Sequence, residues 1–195
     1  ALGFQNLDAL TTGNYNVAIG YDALSSIQSG SACVAIGKEA LKLNTVSNNT
    51  AVGRVALTAN TTGGSNTAIG DGALKSNTTA SNNVAVGHEA LSANTTGNLC
   101  IGIGVNALDA NDDAIRNIGI GKDAGGSLTS GGYNIAIGTY ALSLATTTTA
   151  NVALGDQALQ NTTGEQNTAL GSHTLRANTS GSRNTALGYF AIGAA

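Results

Sequence analysis

The chain has no proline, methionine or tryptophan, only two phenylalanines and two cysteines, and charge on just 10% of its 195 residues. Each shortage excludes something. Its eight basic residues are too few and too scattered for a nucleic-acid footprint. A net charge of −3 points to no strongly charged partner. No apolar run approaches the ~20 residues of a membrane-spanning helix, and no secretory leader pattern is present, so no membrane insertion is expected. So little charge and so few aromatics could belong to a low-complexity, disordered chain. Yet 42% of the residues are apolar, and they recur in register. With Met absent even from position 1, and with both ends falling in mid-repeat (Ala1-Leu2-Gly3 and Ala191–Ala195), the expectation is an uncapped segment of a longer fibre, 1–195 forming a single repeat domain.

What the chain does contain is glycine at a fixed interval. An Ala-Ile-Gly triplet, or a close variant, ends at Gly3, Gly20, Gly37, Gly53, Gly70, Gly87, Gly104, Gly121, Gly138, Gly155, Gly171 and Gly188. The steps are 17 residues, with two of 16. Each column around that glycine has a chemical rule. One before it stands a large aliphatic (Leu2, Ile19, Ile36, Val52), and two before it Ala, or Gly at Gly102 and Gly119. Three before it is a β-branched residue (Val17, Val34, Thr50, Thr67), and four after it is usually Leu. Four before it stand Asn16, Cys33, Asn49, Asn66, Asn83, Cys100, Asn117, Asn134, Asn151, Asn167 and Asn184.

Alternation of β-branched, small, aliphatic and glycine is a period of two, hence a strand with two unlike faces. The x-x-Ala-Leu piece that follows predicts a second short extended run, and Asn-Thr-Thr-Gly (Asn60–Gly63, Asn94–Gly97) is turn chemistry. Seventeen residues cannot hold two helices and their turns, as a helical repeat would require. The fold class is therefore all-β: a parallel β-solenoid of about twelve coils, some 55 Å long at ~4.7 Å per coil.

Such a coil encloses little. The Ala and Gly face suits a narrow interior with the Leu of Gly-x-x-Ala-Leu, leaving the Ile and Val face as an apolar stripe along the rod. The opposite assignment would put the small residues at a tight interface. Either way a face must be covered, and association is expected. Stacked Asn side chains can hydrogen-bond along the axis as a ladder. Cys33 and Cys100 interrupt that column at rungs roughly 19 Å apart. A disulfide needs Cα atoms within about 7 Å, so both are expected to be buried thiols.

At Asn-x-Ala-Ile-Gly-x-x-Ala-Leu the sequence resembles the head repeats of trimeric autotransporter adhesins of the Yersinia adhesin type, over its whole length from Ala1 to Ala195. It is also similar to repeat arrays of phage tail fibres that carry Asn-Thr-Thr-Gly spacers. The resemblance implies a left-handed parallel β-roll, a homotrimer, and an extracellular setting at a cell surface or on a virion. It implies a non-enzymatic structural or adhesive role, with a cell-surface glycan or protein as receptor and no cofactor. The repeat here is longer than that of the adhesin heads, which implies an enlarged turn.

Several residues mimic sites. Gly119-Ile120-Gly121-Lys122-Asp123-Ala124 copies a dinucleotide fingerprint, which needs a strand leading into a helix; here it lies in phase with the repeat. His88 and His173 sit in different columns five copies apart, too far for one metal. The two positions after the glycine drift freely (Tyr21-Asp22, Lys38-Glu39, His88-Glu89), as on a solvent-facing strip suited to multivalent contact. The turns Ile27–Ala32 and Asp109–Arg116 read as irregular, and Asp112 and Asp113 are the candidates for a distinct surface contact. The Thr pairs at the turns leave an ice-binding solenoid as the alternative, although neighbours in a strand face opposite ways.

Overall fold

The computed structural model describes residues 2–192. Eleven three-residue strands, from β1 (Val17–Ile19) to β11 (Thr185–Leu187), form one parallel sheet in chain order. Like pairs with like: Val17 opposes Val34, Ala18 opposes Ala35, and Ile19 opposes Ile36. This is a β-solenoid, and no helix occurs among the described residues. Eleven rungs bound ten complete coils, and Leu2 adds a single bridge to Ile19. The twelve coils expected from the glycine count become about ten, because the first and last copies supply only part of a turn.

Register survives the two 16-residue steps, since Val34 still opposes Thr50 and Val152 opposes Thr168. The missing residue comes out of the turn. Asn60 Nδ2 donates to the carbonyl three residues on (Gly63, 2.8 Å), whereas Asn44 Nδ2 in the short coil reaches its carbonyl after two (Val46, 2.7 Å). Such a deletion leaves every strand side chain on its face, which a slip within the strand would not.

The small-residue face points inward. Ala18, Ala35, Ala51 and their successors are fully buried beside Leu24, Leu41 and Leu57. Gly125 replaces that Leu in one coil, and Leu128, three residues later, refills the core there: a Cβ on Gly125 would lie 3.1 Å from Leu128 Cδ1 and 2.7 Å from Leu108 Cδ2.

The second extended run is not present. After each repeat glycine the chain makes successive tight turns, with Ala40 N–H donating to Gly37 O (3.3 Å) and Asn44 N–H to Leu41 O (3.1 Å). Alternate residues are left-handed, as at Glu39 (φ 58°) and Leu41 (φ 52°), the third-position conformation of a type II turn. Ala-Leu has no β-branched residue to favour an extended run there, and the turns win. These turns still stack coil on coil: Leu24 N–H donates to Ala40 O at 2.9 Å, and Glu39 N–H to Tyr21 O at 2.8 Å.

The repeat glycine is required by this stacking. From Gly20 to Gly171 the repeat glycines hold φ between 127° and 140°, a region closed to other residues, and Gly188 lies at 119°. A Cβ on Gly87 would lie 2.4 Å from the carbonyl oxygen of Gly104 in the next coil. Gly87→Ala is therefore expected to cost about 3 kcal/mol or more, read as a lowered thermal midpoint. An unchanged midpoint would contradict the geometry.

Candidate functional site

The strand residues that flank each buried Ala form a ridge down the rod. Its two columns run Val17, Val34, Thr50, Thr67, Val84 and Ile101, and Ile19, Ile36, Val52, Ile69, Val86 and Ile103, and both continue to β11. They are half-buried to exposed throughout: Ile19 is 39% exposed, Ile69 41% and Leu170 42%. No charged residue interrupts the ridge, because the columns admit only aliphatics and Thr. It runs along all eleven strands, and a long continuous apolar surface is unusual on a soluble monomer.

Behind the ridge lies the Asn column named above. Asn49, Asn66, Asn83, Asn117, Asn134, Asn151 and Asn167 are buried, while Asn16 and Asn184 near the ends are half-buried. The bonding differs from a simple amide stack. Each Oδ1 accepts the backbone N–H of the same column in the next coil, as from Asn66 N–H to Asn49 Oδ1 (2.9 Å). From Asn16 to Asn167, each Nδ2 donates to a carbonyl 13 or 14 residues ahead, as from Asn66 to Ala80 O (2.8 Å). Direct amide-to-amide bonds occur at three steps, such as Asn134 Nδ2 to Asn117 Oδ1 (3.2 Å). The column thus supplies backbone groups that the turn leaves unpaired.

A continuous amide ladder does exist, seven residues after the repeat glycine. Asn60 Nδ2 donates to Asn44 Oδ1 (2.7 Å), Asn77 to Asn60 (2.7 Å), Asn94 to Asn77 (3.0 Å) and Asn111 to Asn94 (2.8 Å). All five are buried. In the sequence the first Asn of Asn-Thr-Thr-Gly reads as turn chemistry alone, whereas the structure buries it. The signal for a buried role was its exchange for Leu10, Ile27, Leu128 and Ala145 in other coils.

Cys33 and Cys100 are free and buried. Their thiols reproduce the amide's donor bond, reaching Val46 O and Ala114 O at 3.2 Å. Burial pushes both thiols above the ordinary range, against the opposing pull of the Asn49 and Asn117 backbone amides respectively.

The drifting columns lie on the surface and pair between coils. Arg54 meets Asp71 at 2.8 Å, Lys42 meets Asp22 at 3.0 Å, and Lys75 meets Glu89 at 2.9 Å, the last holding the Glu89 carboxyl below its usual range. The turn Asp109–Arg116 proves regular in its backbone. Asp112 and Asp113, both exposed, replace Thr-Thr, and Asp112 accepts a hydrogen bond from the Thr95 hydroxyl. The turn at Ile27 also keeps the common spacing, with Thr11 N–H donating to Gln28 O at 2.8 Å. No group of three metal-ligating side chains occurs among the described residues. Gly119 and Ile120 lie in the strand Ile118–Ile120, followed by turn and not helix.

The first Thr of each turn gives its hydroxyl to the next coil, as from Thr61 Oγ1 to Thr78 O (3.0 Å) and Thr78 Oγ1 to Thr95 O (3.1 Å). The second Thr is exposed, but Thr62, Thr79 and Thr96 make a run only three coils long before Asp113. No family model, curated protein or solved structure matches this chain.

Asn77→Ala would leave buried Asn60 Oδ1 without its donor, take one of two partners from Asn94 Nδ2 and from Ala80 O, and open a gap in the ladder. It is expected to cost roughly 3 kcal/mol by denaturant unfolding, while removing the exposed Arg54–Asp71 pair costs less than about 1. Equal losses would contradict the buried ladder. For the thiols, raised folded-state values mean that stability falls as pH rises past the ordinary thiol range, where only the unfolded chain ionises freely. Ellman's reagent at pH 8 is expected to react with neither thiol in the folded protein and with both in denaturant.

Proposed function

We propose that this chain is a segment of a homotrimeric, non-enzymatic fibre, from a phage tail fibre or a bacterial surface adhesin, that presents host- or surface-binding sites outside the cell. The observation that carries this reading is the ridge. A face that admits only aliphatics and Thr over eleven rungs, while neighbouring columns drift between charged, polar and apolar residues, has a constant neighbour, and another copy of the same repeating rod is constant in that way. An isologous or cyclic assembly of identical rods places each ridge against its equal and buries all of them at once. The resemblance to adhesin-head and tail-fibre repeats supports three chains, a left-handed winding and the extracellular setting.

The interior supports a structural role. Its recurring polar groups are amides, and these bond the next coil, which leaves recognition to the outer strip. Contacts that are weak singly gain strength when repeated along and around a rod, which suits a cell-surface glycan or protein as receptor.

Light scattering on the purified chain is expected to give close to three times the 19.2 kDa chain mass. The double variant Ile69→Lys and Ile103→Lys, which sets charge on the ridge, is expected to release single chains that keep the strand spectrum. A wild-type solution of soluble 19.2 kDa monomers at micromolar concentration would overturn the proposal.

A further inference from the structure

One coil opens on its outer side. Five residues after the repeat glycine, the column holds Ser25, Lys42, Thr58, Lys75, Ser92 and Asp109, then Gly126, then Ser143. The same coil lost its core Leu at Gly125 and recovered the volume through Leu128. Nothing refills the place of the missing side chain at Gly126. A cleft of about 260 Å³ remains there, lined by Asp109, Asp123, Ser127, Tyr140, Ser143 and Leu144 around Gly126.

Its floor is rich in acceptors. A Cβ on Gly126 would stand 3.2 Å from Asp109 Oδ1, 3.3 Å from Asp123 O and 3.7 Å from Asn106 O. Burial, with like charge from Asp123 and Glu89, pushes the Asp109 carboxyl up, so a ligand that donates hydrogen bonds to it would relieve it. Ser143, only 6% exposed, has a hydroxyl with no partner. The walls are of the other kind. Leu144 is exposed, and Lys122 donates to Tyr140 Oη at 3.0 Å, which tethers the ring.

We infer that this cleft binds one neutral sugar residue of a glycan, its hydroxyls donating to Asp109 and the floor carbonyls and its C–H face lying against Tyr140 and Leu144. At about 260 Å³ the cleft has room for a single six-membered ring. An acidic sugar is disfavoured by the Asp109 carboxylate, which has no cationic partner among the described residues, whereas Asp123 and Glu89 are paired with Lys122 and Lys75. A bare divalent ion would use neither apolar wall. This assignment deepens the receptor-binding part of the proposed function. Its failure leaves the assembly test untouched, because every residue of the cleft belongs to one chain.

The test is amide NMR on the whole protein, titrated with the methyl glycosides of glucose, galactose, mannose and N-acetylglucosamine, with methyl glucuronide, and separately with calcium chloride. Concentrations of about 20 mM fill a site of millimolar Kd. At least one neutral glycoside is expected to shift the amides of Gly126, Ser127 and Ser143 saturably, while the glucuronide does not. Gly126→Lys, a residue the column accepts at Lys42 and Lys75, is expected to abolish the shifts without lowering the thermal midpoint. Asp109→Asn is expected to weaken binding about tenfold, as for loss of a charged acceptor, and keeps the test open should Gly126→Lys misfold. The inference is overturned if no neutral glycoside shifts these amides, if both variants bind like wild type, or if calcium alone moves the same amides.

Discussion

Every coil of this protein is held by hydrogen bonds to the next, and the backbone must therefore repeat itself in register. A buried peptide group without a partner costs about 1–3 kcal/mol, and a coil of 17 residues has no layer beneath it to supply partners. Outside the tight turns, which bond within a coil, the next coil supplies the partners. That constraint explains the columns. Glycine recurs where two coils approach too closely for a Cβ, as at Gly87 against Gly104. Asparagine recurs where a turn leaves backbone groups unpaired, its Oδ1 taking an N–H and its Nδ2 giving to a carbonyl. Outward-facing residues away from the ridge escape the constraint and vary.

The same constraint produces the ridge. Ala and Leu occupy an interior too thin for more, so the aliphatics on the opposite strand face have nowhere to go within the chain. Winding buries the Ala and Leu side chains and leaves the strand aliphatics half-buried or exposed. Variation is confined to places where stacking tolerates it. The Gly125–Gly126 coil shows the rule, since the inner loss was refilled by Leu128 and the outer one was left open.

Much of the scaffold was legible because each column has one job. The strand at Val84–Val86 is legible as a β-branched, small, aliphatic triplet, but both face assignments fit the sequence, and only the fold places Ala85 inward. The Asn column and the buried thiols followed from the same spacing. The turns after glycine were not legible as turns, since left-handed φ at Leu41 and Leu57 goes against the preference of that residue and is imposed by stacking. The ladder from Asn44 to Asn111 was hidden by an ordinary turn motif. The cleft was invisible because it arises from an absence at Gly126 among residues of three successive coils.

Solvent exposure of the ridge methyls in the native protein tests the central point most directly. With a soluble paramagnetic relaxation agent, Leu99 and Leu144, exposed in other columns, serve as references for side chains open to water. The methyls of Ile19, Ile69 and Ile103 are expected to relax far more slowly than these, because a neighbouring copy covers them. Relaxation as fast as at Leu99 and Leu144 would show the ridge bare to water, and would contradict an assembly built on it.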